Sequence, residues 1–136
     1  MDTRTFLWTE LNDDFSANDW LVGRGALGMY YSPYFEMTYR LNLGGDWMFR
    51  QTNEIGYLHI ALKAGLIGVV LYFLTFARAI YKSLLIPNRR FAVGLALILI
   101  MHLFELAIVG QAVFSPARVL LWILVGIAMS APSKRA

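Results

Sequence analysis

Apolar positions fall in two regimes along this chain. Through residues 1–53 they come singly or in short groups among charges, glycines and aromatics, with no run long enough to cross a bilayer. Beyond that point they come in three runs. The first begins with an acid, ends among cations and predicts a helix over 54–80, long enough for a hydrocarbon layer about 30 Å thick. Lys63 interrupts it, and Ala61, Ala64, Gly65 and Gly68 form two small-xxx-small pairs that let another segment approach closely. The second run predicts a helix over 91–113, with His102 and Glu105 three apart on one face. The third, 115–131, opens at Pro116, a residue suited to a first helical turn. Its apolar part, 119–131, is short for a span unless residues 115–118 are included, and the flanking Arg118 and Lys134 can reach the two interfaces.

The polar front is built differently. Residues 5–11 predict one short amphipathic helix, broken by Asn12-Asp13-Asp14, where an aspartate can cap a further turn. Trp20-Leu21-Val22 runs into a glycine-rich turn, Gly23-Arg24-Gly25-Ala26-Leu27-Gly28. An aromatic stretch follows (Tyr30, Tyr31, Tyr34, Phe35, Tyr39), then a second turn at Gly44-Gly45-Asp46. The pattern as a whole predicts an all-α integral membrane protein. Three transmembrane helices, about 54–80, 91–113 and 115–131, are preceded by an extracytoplasmic loop region, 1–53, with short helices.

Composition and charge sharpen this. The chain has 136 residues, 58% of them hydrophobic, more than a soluble domain of this size needs for a core. It has no cysteine, which excludes disulfides and thiolate metal sites, and its two histidines are too far apart in sequence to suggest a metal. No metal or other cofactor is expected. Residues 1–54 hold eight acids and four arginines, whereas Arg78, Lys82, Arg89 and Arg90 have no acid among them, and Lys134 and Arg135 are also unopposed. Short basic loops stay in the cytoplasm. The turn 81–90 and the C-terminus are therefore assigned to that side, and residues 1–53 and 111–117 to the other. A nucleic-acid footprint is the weaker reading of the cations. The charged front has no signal peptide of its own, so spans upstream of Met1 are expected to have carried it across. On that reading the chain is the C-terminal part of a longer multi-span protein.

Several residues are candidates for chemistry. Gly23-x-Gly25-x-x-Gly28 has the letters of a dinucleotide fingerprint but lacks a following helix pattern and a βαβ setting, so a turn closely approaching a neighbour is the better reading. The front aromatics suit either sugar stacking or the headgroup level, Trp47 and Tyr57 best fitting the latter. Lys63 and Glu105 lie at similar depths on antiparallel helices and predict an intramembrane ion pair, which either locks the helices or lines a polar cavity. Glu54, at the start of the first long helix, serves either the helix dipole or proton transfer as a general base.

Taken in order, these segments resemble one superfamily. Arg4-x-x-x-Trp8, Leu21-Val22-Gly23-x-Gly25-x-x-Gly28-x-Tyr30, and Glu54-x-x-Tyr57-Leu58 running into Lys63-Ala64-Gly65-Leu66-Ile67-Gly68 resemble the C-terminal half of O-antigen ligases and O-antigen polymerases. The resemblance covers about residues 4–80. It implies a membrane glycosyltransferase of the bacterial inner membrane, with residues 1–53 periplasmic. Its donor is an undecaprenyl-diphosphate-linked glycan and its acceptor a glycan or lipid A core; no nucleotide sugar is used. Polymerase and ligase both stay open. It further implies that Arg4 binds diphosphate and that Glu54, standing where the family has histidine, takes the acceptor proton. Ile55 stands where asparagine is usual. Arg24 and Arg40, from their loop position, and Tyr57 are weaker substrate-binding candidates. The rival reading is a non-enzymatic multi-span module, a transporter piece or assembly partner, dependent on Lys63, His102 and Glu105.

Overall fold

A computed structural model describes residues 3–43, 48–108 and 116–130; the turn at 44–46 and Trp47 lie outside the described residues. Among the described residues the order is α1 (Thr3–Asp14), α2 (Ala17–Val22), β1 (Tyr30–Tyr31), α3 (Pro33–Leu43), β2 (Phe49–Arg50), α4 (Gly56–Ser83), α5 (Arg89–Ile108) and α6 (Pro116–Ser130). Two compact units divide the chain, one reaching to Val69 and the other holding Val70–Ala107 with α6.

In the first unit, α1 turns Leu7 and Leu11 inward, four residues apart on one face. Leu11 and Phe15 join Tyr30, Leu58 and Leu62 in the unit's core. The helix carries on through Asn12-Asp13-Asp14, expected to break it, and the next turn is capped by Ser16 rather than by an aspartate. Ser16 and Asp19 exchange side-chain and backbone bonds in a capping box.

The aromatic stretch, read as unfit for a helix, forms α3. Pro33 takes the first helical position, where a missing N–H costs nothing. The next two N–H groups have acceptors: Tyr34 N–H donates to Glu10 Oε1 at 3.0 Å and Phe35 N–H to Ser32 Oγ at 3.1 Å. Ser32 Oγ in turn donates to Glu10 Oε2 at 2.8 Å. A carboxylate from α1 thus completes the cap of α3, a long-range pairing that local sequence does not disclose. The all-α expectation also needs one amendment. Tyr30 pairs with Arg50 and Tyr31 with Phe49 in a minimal antiparallel ladder, which sets Arg50 just ahead of α4.

The helix α4 begins close to its predicted start but is not continuous. Gly65 has φ 64° and ψ −170°, a conformation open to glycine alone, and divides α4 in two. In a straight helix the Leu62 and Lys63 carbonyls would accept from residues 66 and 67. Here Arg24 N–H donates to Leu62 O at 2.8 Å and Gly25 N–H to Lys63 O at 3.0 Å. The glycine turn is therefore seated, backbone on backbone, at the break.

The second unit packs Phe76 and Ala79 of α4, Leu95 and Leu99 of α5, and Leu121, Val125 and Ala128 of α6 around one core. Asn88 caps α5 by accepting Phe91 N–H at 3.3 Å, so the helix starts earlier than predicted; residues 109–113 of the predicted span lie outside the described residues. By length and composition α4 and α5 can cross a membrane, whereas the apolar stretch of α6, Arg118–Ser130, is shorter. Between Phe91 and Met101 helix α5 is apolar all round. Ala92, Leu95, Ala96, Leu99 and Leu106 are buried on one side, while Leu97, Ile98, Met101 and Phe104 stand open on the other. Such a helix belongs in a large core or in lipid.

Candidate functional site at the start of the long helix

The segment from Phe49 to Gly56 turns the chain from the ladder into α4. Asn53 organises it: its Oδ1 accepts Ile55 N–H at 2.9 Å, and its own N–H donates to His59 Nδ1 at 3.4 Å. Asn53 and His59 are buried, whereas the neighbouring Glu54 points outward with its side chain 73% exposed. Arg50 Nη2 donates to Glu54 Oε1 at 3.0 Å. The Arg50 guanidinium also lies 5.5 Å from the Phe35 ring centre, a cation–π distance. Phe35, Phe49, Arg50, Gln51 and Thr52 line a cavity of about 250 Å³. A carboxylate open to water beside an anchored guanidinium can take a proton from a hydroxyl while the cation holds an anionic leaving group.

Beneath this surface Tyr30 is fully buried, its hydroxyl beside the Asn53 side chain, and neither that hydroxyl nor Asn53 Nδ2 makes a hydrogen bond of ordinary geometry among the described residues. Burial pushes the Tyr30 phenol up to about 12, with Arg50 pulling the other way. It stays protonated.

The other candidates fall into separate environments. Arg24 Nη1 donates to Asp14 Oδ2 and, at 2.8 Å, to Met29 O, while Nη2 donates to Asp14 O and, at 3.0 Å, to Asp19 Oδ2. Its guanidinium also lies over the Phe15 ring. Burial works against its charge, but the bonds and charges of Asp19 and Asp14 outweigh that and raise its pKa; the Arg24 bond, foremost, lowers that of Asp19. Arg24 fastens the end of α1 to α2 and to the glycine turn. Lys63 Nζ donates to Gly28 O at 2.8 Å, again fastening that turn. Glu105, in the other unit, lies 3.4 Å from His102. Each member of the predicted Lys63–Glu105 pair thus has a partner within its own unit. Tyr57 is half-buried in the first turn of α4. Arg4 is on α1 and Arg40 on α3, but both side chains lie outside the described residues.

A second cavity, about 440 Å³, is lined by Thr5, Phe6, Thr9, Glu10, Asp13, Asp14, Tyr31 and Pro33. Three carboxylates and, among the described residues, no cation line it. Among the described residues no three histidine, aspartate or glutamate side chains gather as a metal-ligand set. Arg50 was missed by sequence reasoning, although its place four residues before Glu54 was a visible signal. Asn53 was missed as well.

Compared with protein-family models, curated proteins and solved structures, the chain matches none of them.

Proposed function

We propose that this chain is part of a bacterial inner-membrane glycosyltransferase. It transfers a glycan from an undecaprenyl diphosphate to an acceptor glycan or lipid A core on the periplasmic face, as a polymerase or a ligase. An acceptor hydroxyl attacks the anomeric carbon, the bond from that carbon to the diphosphate oxygen breaks, and the hydroxyl proton passes to Glu54. Arg50 and Arg4 carry the charge of the departing diphosphate, each as a guanidinium fork. Arg24 has a positioning role, since its two terminal nitrogens already serve Asp14, Asp19 and Met29. Three spans, α4, α5 and α6, form the membrane part of the reading.

One observation carries it. The two halves of the motif pattern, 21–28 and 54–68, meet through main-chain hydrogen bonds at the Gly65 break, and the second half opens with Glu54 beside Arg50. The test is substitution in cells that make the polysaccharide. Arg50→Ala and Glu54→Gln each lower glycan transfer about a hundredfold or more, seen as loss of the ladder on a gel, with membrane abundance unchanged. Ladders of normal intensity from both variants would remove the assignment.

A further inference from the structure

The open face of α5 is apolar over most of its length and holds one anion. Leu97 is 54% exposed and Met101 and Phe104 are both 70% exposed, while Gly94 on the same stripe has open space where a side chain would stand. Glu105 continues that stripe about three turns beyond Gly94, its side chain 62% exposed. Its carboxylate is held in place. Tyr72 Oη and His102 Nε2 are 2.8 Å apart, which directs His102 Nδ1 toward Glu105 Oε2 at 3.4 Å. Tyr72 is itself fixed by stacking on Phe76 and by the edge of Trp122. Oε1 has no partner among the described residues. Arg118 is near enough to feel the charge without forming an ion pair among those residues.

We propose that this face seats a partner membrane helix, apolar except for one arginine that meets Glu105. The inference rests on the membrane reading of α5. Lipid tails offer a carboxylate nothing, whereas a guanidinium offers opposite charge and a fork that fits both oxygens. Arg90 marks the basic end of α5, and Glu105 is about 22 Å further along at 1.5 Å per residue. The partner's arginine therefore lies toward the opposite interface. Two copies meeting through this face of α5 with the same topology would lie parallel and bring Glu105 against Glu105, so the occupant is a helix other than α5.

The test uses the whole chain, which has no cysteine and accepts a single donor label at Leu84→Cys. It is reconstituted in phosphatidylcholine vesicles with acceptor-labelled leucine-alanine helices of about 24 residues, carrying arginine, leucine or glutamate at the matching depth. Energy transfer shows the arginine helix binding about tenfold more tightly than the leucine helix. The glutamate helix is excluded. Glu105→Gln abolishes the preference, and Glu105→Lys reverses it toward the glutamate helix. Equal binding of the three helices by a chain that resists carbonate extraction overturns the inference and leaves the membrane reading standing. A chain that carbonate strips from the vesicles overturns both.

Discussion

Replacing Gly23 with alanine tests the main-chain contact at the break in α4. A Cβ at residue 23 would stand 2.5 Å from Ala64 N and 2.6 Å from Gly65 N, closer than folded proteins allow and against backbone that cannot step aside. Gly23 also has φ 73° and ψ −177°, a region essentially reserved for glycine, which adds about 1–3 kcal/mol for any other residue. Relief requires the turn to leave. The Arg24–Leu62 and Gly25–Lys63 hydrogen bonds are then lost, at about 0.5–1.5 kcal/mol each. Together these come to about 2–6 kcal/mol, a fall in melting temperature on the order of 10–20 °C for a chain of this size. The control is Gly25→Ala. Gly25 also has positive φ, 77°, but nothing lies within 4 Å of its Cβ position, so only the conformational part, about 1–2 kcal/mol, applies. Thermal unfolding in detergent, followed by circular dichroism, separates the two. If Gly25→Ala destabilises as much as Gly23→Ala, close approach is not what these glycines serve.

Other outcomes follow from the same structure. Gly65→Ala lets α4 run straight, because alanine favours helix; helical signal rises slightly while the turn at 21–25 becomes sensitive to protease. Glu10→Ala leaves Tyr34 N–H without its acceptor and destabilises the first unit by about 1–2 kcal/mol, read from the same melts. Tyr30 has a raised folded pKa, about 12, so the stability it contributes is intact below the unfolded value near 10 and is lost as pH rises toward 12. Tyr30→Phe flattens that alkaline loss, a difference on the order of 2–3 kcal/mol between the two proteins at pH 12. For Asp19 the folded pKa is lowered, so its contribution is present above the unfolded value and lost as pH falls through the folded one; Arg24→Gln removes most of that acid sensitivity. Finally, Leu27, 82% exposed, and Leu84, 56% exposed, report topology as single cysteines. An impermeant maleimide on intact cells labels the first and spares the second, and labelling of Leu84 alone would invert the proposed arrangement.

What could be read from the letters was what depends on neighbours in sequence. Period and length disclosed α4 and α5, because a long apolar run has few other ways to satisfy its backbone. Pro116 opened α6 as its residue type suggests. The glycine turn was legible as a point of close approach, but its destination was not, since nothing near residue 23 mentions residue 65. Gly65 itself looked like a small residue on an unbroken helix. Only the donors arriving from Arg24 and Gly25 make a break there affordable. Glu10 misled in the same way. Its place on α1 gives no hint that it completes the cap of α3, and without that cap a proline among aromatics is a poor helix start. At the candidate site, Glu54 was found by its position ahead of an apolar run, whereas Arg50 became visible only once the ladder carried it alongside.

The seat between the 21–25 turn and α4 has a consequence for kinship. Main chain meets main chain on both sides, so neither stretch reads the letters of the other, and what they require of each other is two missing side chains. This contact alone makes no demand on the side chains of Arg24, Leu62 or Ala64, which answer to other parts of the unit, yet a lineage that fills one of the two gaps gains nothing by keeping the other vacant. The glycines at 23 and 65 are accordingly a single inherited character written in two places, to be kept or surrendered together.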